Sequence, residues 1–290
     1  MKVAKFSPAK VNLMLAITGV RPDGFHNLVS LVAPVKFGDE LLAETAETDS
    51  ISCDMEGVPL DGSNLVMKAA ELFRQEAKVD AHFKFRLEKR VPHGAGLGGG
   101  SSNGAAALNA ANELCGNPLS APALEALAAK LGSDCPLFLS GTPVVMRGRG
   151  ELVCPLFGEA LECVSRLKIF LFKPDFSINT GWAYSRMRAN PSDYIDPDEA
   201  ESLISVWLEN PGVADLPLVN NMQIEAFKKY PALELAVGGV REKFGIPAMM
   251  SGSGSACFAI VNALSDSDIG ALESYVKSML GESCFTARAF

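Results

Sequence analysis

The eleven residues Pro92-His93-Gly94-Ala95-Gly96-Leu97-Gly98-Gly99-Gly100-Ser101-Ser102 gather five glycines between positions 94 and 100. Glycine at this density raises the entropy lost on folding and fills no core, so it points to a task of the backbone. Without Cβ atoms, successive N–H groups can converge on an anion. A helix that starts where the glycines end adds the positive end of its dipole. Phosphate oxygens suit both features, with the Ser101 and Ser102 hydroxyls as further donors. The segment lacks the G-x-x-x-x-G-K-[ST] pattern of a Walker A loop, and no acidic ribose-binding residue follows a first strand. A flexible hinge is the other reading of the same residues. The order strand, glycines, helix favours phosphate.

That order depends on the flanking elements. A strand at about 81–89 leads into the glycines, and Ala105 to Leu114 reads as a helix closed by Cys115-Gly116-Asn117-Pro118. Before them, Leu65, Ala69, Leu72 and Phe73 mark one helical face between Asn64 and Ala77, with Asp61-Gly62-Ser63 as the start signal. Residues 2–20 and 28–37 hold apolar and β-branched stretches separated by the turn Arg21-Pro22-Asp23-Gly24. Ala121 to Leu131 is a further helix stopped by Gly132. Later come a strand at Leu167 to Phe172, loops over 188–217 around a helix near 198–209, a strand at Cys257 to Val261 and a helix over 265–280. On local grounds alone Asp134 reads as a helix N-cap or turn residue, and Lys10 as a strand lysine on a solvated face.

Four ordered blocks carry a resemblance that changes those two readings. Pro92 with Gly96-Leu97-Gly98-Gly99-Gly100-Ser101-Ser102-Asn103 is similar to the phosphate loop of the GHMP kinases. Pro8-Ala9-Lys10-Val11-Asn12-Leu13 with Arg21-Pro22-Asp23-Gly24-Phe25-His26, Gly132-Ser133-Asp134-Cys135-Pro136, and Ser251-Gly252-Ser253-Gly254-Ser255-Ala256-Cys257-Phe258 resemble three further blocks of that family. The resemblance implies an α+β, two-lobed fold. Its N-terminal lobe, like domain 2 of ribosomal protein S5, covers residues 1–160, and a ferredoxin-like C-terminal lobe covers 161–290, with the boundary near 155–166.

It also implies a kinase that uses ATP with Mg²⁺ and phosphorylates an alcohol on a cytidylated small molecule. Lys10 and Asp134 become the catalytic residues, Asp134 as proton acceptor and Lys10 as the cation that favours its ionised form. Residues Pro92 to Ser102 bind ATP. Phe25 stacks on cytosine, His26 meets the base edge, Tyr184 supplies a second aromatic from the other lobe, and Asn12 and Thr180 hold polar groups of the substrate. The resemblance assigns no magnesium ligand to any residue. Phe25 and Tyr184 as core aromatics, and His26 as a turn residue, are the structural alternatives. The chain departs from the family twice: Asn103-Gly104 stands where Asn-Ala is common, and Asn220-Asn221-Met222-Gln223 replaces a stretch like Asn-Asp-Leu-Glu.

Composition agrees with such an enzyme. At 290 residues the chain is long enough for two lobes, and a net charge of −8 opposes a general nucleic-acid surface. Seven scattered cysteines without a C-x-x-C pair suit reduced thiols in a cytoplasm. No apolar N-terminal segment and no uncharged run of about 18 residues suggests a targeting sequence or a membrane span.

Overall fold

The structure, a computed structural model, describes residues Met1–Phe290. Two compact units alternate along the chain. The first holds Met1–Ala9, Lys36–His93 and Gly98–Thr142; the second holds Lys10–Val35, Gly94–Leu97 and Pro143–Phe290. The long strands β1 (Lys2–Val20) and β2 (His26–Ala46) contribute residues to both.

In the first unit, β3 (Ser50–Cys53), α1 (Leu65–Ala77) and β4 (His82–Glu88) form a parallel βαβ unit, Ser50 opposite Lys84. Strand β4 also pairs antiparallel with β2, from Glu40 opposite Glu88 to Ala46 opposite His82. Its alternation places Phe83, Phe85 and Leu87 inside while Lys84 and Arg86 face out. Helix α1 begins because the Asn64 carboxamide oxygen accepts from the Val66 amide at 2.9 Å. Helices α2 (Gly99–Leu114), α3 (Ala121–Leu131) and α4 (Cys135–Ser140) complete the unit. Its core joins Phe73, Phe83 and Phe85 to the alanines of α2 and to Leu124 and Leu127 of α3. Helix α2 starts six residues before the sequence suggested. Gly98, at φ 71°, makes the left-handed entry, and the Ser102 amide donates to the Gly98 carbonyl at 2.9 Å, so the last glycines are already helical. Gly104 has a packing reason: a Cβ there would stand 3.1 Å from the Leu65 Cβ of α1.

Besides its parts of β1 and β2, the second unit holds the hairpin β5 (Val144–Arg147) and β6 (Leu152–Pro155), with β5 antiparallel to β2 through Ser30 opposite Met146. After α5 (Gly158–Ser165) come β7 (Ile169–Lys173), α6 (Thr180–Ala189), α7 (Pro197–Glu209) and β8 (Val219–Asn220), which pairs parallel to β1 with Met14 opposite Val219. Helices α8 (Met222–Lys229) and α9 (Pro231–Phe244), strands β9 (Ala248–Met250) and β10 (Cys257–Ile260), helix α10 (Asp266–Leu280) and strand β11 (Phe285–Ala289) follow. The last sheet runs β11-β7-β10-β9, antiparallel throughout. This is the βαββαβ order of a ferredoxin-like sheet. Strand β7 is apolar without alternation because it is interior to the sheet and buried on both faces. Its Phe170 and Phe172 pack with Val237 and Val240 of α9 and Ile269, Leu272 and Val276 of α10. No helix is long and apolar enough to cross a membrane.

A Cβ at Gly38 would lie 2.3 Å from the Ser7 carbonyl oxygen, a backbone atom that cannot swing aside. Gly38→Ala should therefore lower unfolding free energy by about 1–3 kcal/mol, the range for an overfilled interior, read from the urea midpoint at unchanged m.

Candidate active site

Within the second unit, Gly94–Leu97 is fastened by its backbone. The Lys10 amide donates to the Leu97 carbonyl at 2.9 Å and the Ala256 amide to the Ala95 carbonyl at 3.0 Å. Gly96, at φ 78°, lies so near the 251–254 turn that a Cβ would stand 2.6 Å from the Ser251 carbonyl oxygen. Ala95 and Leu97 turn their side chains into the interior, leaving main chain as the exposed part of this stretch. Gly98 to Ser102 belong to the first unit and form the N-terminal turn of α2, whose leading amides have no partner within the helix. Ser102 differs from its neighbours: it is buried, its amide is used by Gly98, and its hydroxyl accepts from Ser7 Oγ at 2.8 Å.

Lys10 is 6% exposed, so the solvated-face reading fails. Its ammonium group donates to Asn12 Oδ1 at 2.6 Å, and Asn12 Nδ2 donates to Ser30 Oγ at 2.9 Å. Asn12 is thus oriented, and the same pair lies 3.3 Å from the place a Gly252 Cβ would fill. Ser30 is a partner that sequence reasoning missed, since a lone serine in an apolar strand carries no signal.

Asp134 stands at the N-cap position of α4, half-buried, yet its side chain makes no capping hydrogen bond. A local capping role therefore does not explain it. The next residue links it to the glycine segment, because the buried Cys135 thiol lies beside Ser101. Burial pushes the Cys135 thiol up to about 12, which keeps it protonated and inert as a nucleophile.

Pro92 and His93 end the Lys36–His93 stretch of the first unit, and the other predicted residues lie in the second unit. Phe25 is 54% exposed with the Arg149 guanidinium 5.0 Å from its ring centre, which removes the core-aromatic alternative. His26 is 6% exposed and its ring is 4.9 Å from that of Tyr184 on α6. Tyr184 was expected from the opposite lobe; it sits in the same compact unit as Phe25 and His26. His26 Nε2 and the Tyr194 hydroxyl are buried without a hydrogen-bond partner. Orphaned polar atoms of this kind mark a place completed by a ligand or strained without one. Burial first, and the Arg188 guanidinium second, hold His26 below its ordinary pKa of 6.5. Thr180 Oγ1 is 3.0 Å from Ser253 Oγ, which joins the start of α6 to the serine-glycine turn.

The second departure from the family is also explained. Asn221 Nδ2 donates to the carbonyls of Ile17 and Asp193, both at 2.8 Å, while its Oδ1 accepts from the Ile17 amide at 2.9 Å. An aspartate could not donate to those two oxygens. Asn220 likewise donates to the carbonyls of Met250 and Gly252, at 2.8 and 2.9 Å, and so steadies the glycine turn.

A glycine-wrapped helix start with a neighbouring aspartate that caps no helix amide, together with a ferredoxin-like sheet, is the build of a GHMP kinase. Residues 64–142 match the GHMP kinases N terminal domain and residues 213–280 the GHMP kinases C terminal domain. The chain is 36% identical to the chloroplastic 4-diphosphocytidyl-2-C-methyl-D-erythritol kinase of Oryza sativa subsp. japonica, over 98% of this chain and 70% of that one. It is 35% identical to the 4-diphosphocytidyl-2-C-methyl-D-erythritol kinase of Protochlamydia amoebophila, over 88% of this chain and 83% of the relative. A crystal structure of 4-(cytidine 5'-diphospho)-2C-methyl-D-erythritol kinase superposes with a TM-score of 0.77 at 31% identity, covering 99% of this chain and 98% of its own. The chain belongs to the 4-diphosphocytidyl-2-C-methyl-D-erythritol kinase family.

The depressed His26 pKa has a sign that can be measured. Unfolded His26 takes its proton near 6.5, whereas the folded ring resists it, so the unfolded state binds more protons below that pH. Stability linked to this residue should be level above about pH 6.5 and fall as pH drops below it. Tm profiles of the parent and of His26→Asn should converge toward low pH, the variant losing less; parallel profiles would remove His26 as the source.

Proposed function

We propose that this chain transfers the γ-phosphoryl group of ATP to the 2-hydroxyl of 4-diphosphocytidyl-2-C-methyl-D-erythritol, giving the 2-phosphate and ADP, as a step of non-mevalonate isoprenoid precursor synthesis. Family membership supports a kinase with an alcohol acceptor. The observation that carries the cytidylated acceptor is His26 Nε2, buried, without a partner and beside an aromatic ring.

In this reading the 2-hydroxyl oxygen forms a bond to the γ-phosphorus as the bond from that phosphorus to the β,γ-bridging oxygen breaks. The hydroxyl proton passes to the Asp134 carboxylate. The Lys10 ammonium, fixed in direction by Asn12, offsets charge on the oxygens during transfer. The nucleotide phosphates are held by the loop from Pro92 to Ser101, through the main-chain N–H groups that follow Pro92 and through the Ser101 hydroxyl. Ser102 secures the helix from inside. Positive φ at Gly94, Gly96 and Gly98 and open space around Gly100 suit a phosphate group there. Mg²⁺ bound with ATP would take its ligands chiefly from phosphate oxygens and water, and would supply positive charge against the departing ADP.

Phe25 offers its ring to cytosine. A neutral His26 can donate to or accept from the edge of the base, with Tyr184 holding the imidazole in place. Thr180 and Asn12 bind polar groups of the acceptor. The lobes 1–160 and 161–290 are the proposed modules of descent, supported by the two family matches falling one in each. Unpaired cysteines support a reducing, cytoplasmic setting.

Asp134→Asn keeps the shape and removes the proton acceptor. It should lower kcat on the order of 10²–10⁴-fold with ATP affinity and Tm close to the parent; normal turnover in the folded variant would take Asp134 out of the mechanism. Phe25→Ala should raise KM for the cytidylated acceptor by roughly 5–150-fold, the equivalent of one stacked base, and leave KM for ATP unchanged. Equal turnover of 2-C-methyl-D-erythritol 4-phosphate and its cytidylated form by the parent would refute the proposed substrate.

A further inference from the structure

Outside the residues assigned so far, the first unit contains a buried polar chain centred on Asp39, which is fully buried on β2. Asp39 Oδ1 accepts from the amides of Arg90 and Val91, both at 2.8 Å, the two residues before Pro92. Asp39 Oδ2 pairs with the Lys89 ammonium group and accepts from Asn103 Nδ2 at 2.9 Å. Lys89, its side chain 5% exposed, also donates to Asn103 Oδ1 at 3.2 Å. Asn103 Nδ2 spends its second hydrogen on Ser7 Oγ at 2.8 Å, and Ser7 donates to Ser102 Oγ at 2.8 Å.

A buried ion pair is a poor device for stability alone, since apolar residues of like volume often serve as well or better. What this one has is geometry. One carboxylate is bonded to the two residues entering the glycine loop and, through Asn103 and Ser7, to the two residues at its exit. Gly99 leaves room for it: a Cβ there would stand 3.1 Å from Lys89 Nζ and 3.0 Å from Val91 Cγ1. A loop with five glycines has many conformations to lose, and fixing both ends removes much of that freedom before a ligand arrives.

We propose that Asp39, Lys89, Asn103 and Ser7 are positioning residues that clamp the entry and exit of the phosphate loop, so that the α2 amides are already aimed when the nucleotide binds. The inference rests on the reading of residues 92–102 as the ATP loop. None of the four touches the reacting atoms.

The test uses the full chain, ATP titration and steady-state kinetics. Ser7→Ala removes one link without leaving a buried charge, and the double variant Asp39→Asn/Lys89→Met removes the ion pair as a unit. The ATP dissociation constant and KM should rise about fivefold in the first, as for one lost hydrogen bond, and about tenfold or more in the second. KM for the cytidylated acceptor should stay at the parent value in both. Gly98→Val, whose side chain would intrude on the loop itself, is the reference. If it weakens ATP binding while folded Ser7→Ala binds ATP as the parent does, the clamp is refuted and the loop assignment stands. Should Gly98→Val leave ATP affinity unchanged, the loop assignment fails and the clamp with it. Equal increases in both KM values with a lowered Tm would assign the network to stability alone. If the double variant does not fold, Ser7→Ala decides by the same criteria.

Discussion

Much of this molecule follows from how closely main chain must approach main chain around Gly96. The space a Cβ would need is taken by the Ser251 carbonyl oxygen at 2.6 Å, so position 96 admits no side chain without displacing the serine-glycine turn. With no side chain at Gly96 to hold it, the order of the segment comes from the buried Ala95 and Leu97 and from backbone bonds made by Lys10 and Ala256. Those bonds in turn require β1 and the 251–256 turn to be held in register. Asn220 and Asn221 do this from inside, by donating to the carbonyls of Met250, Gly252 and Ile17.

Electrostatics follow a similar economy. The charged groups that matter are buried or half-buried, and two of them have short polar partners: Lys10 is met by Asn12, itself held by Ser30, and Asp39 by Asn103 and two backbone amides. A short amide or hydroxyl has few rotamers and fixes the direction of a long charged chain. His26 is the exception, neutralised by burial and left with an unfilled hydrogen-bonding position among aromatic rings.

The sequence revealed those parts of the fold that local rules control. The helix at 121–131 was read with its observed bounds, and the strand at 82–88 and the helix at 65–77 to within a residue, because alternation, periodicity and caps agree there. The start of α2 was misread because glycine signals a loop even when a left-handed entry at Gly98 makes the following glycines helical. Helices α4, α5, α6, α8 and α9 were passed over, several being short or weakly amphipathic and dependent on packing. Motifs brought Lys10, Asp134 and Phe25 to notice; the positions of Ser30, Asp39 and Arg149 became apparent only from their neighbours in space. The Asn221 departure is a case of chemistry that sequence could register and not interpret.

The alternation of the two compact units along the chain bears on dissection of the molecule. Leu15 and Ile17 of β1 belong to the same apolar cluster as Phe170, Phe172 and the faces of α9 and α10. A fragment cut near 160 would keep that sheet and its helices but expose the surface those two side chains cover. It would also strand the Asn221 carboxamide without Ile17. Protease nicking in the 148–166 region need not separate the halves, since a strand near the N-terminus supplies part of the wall of the C-terminal core.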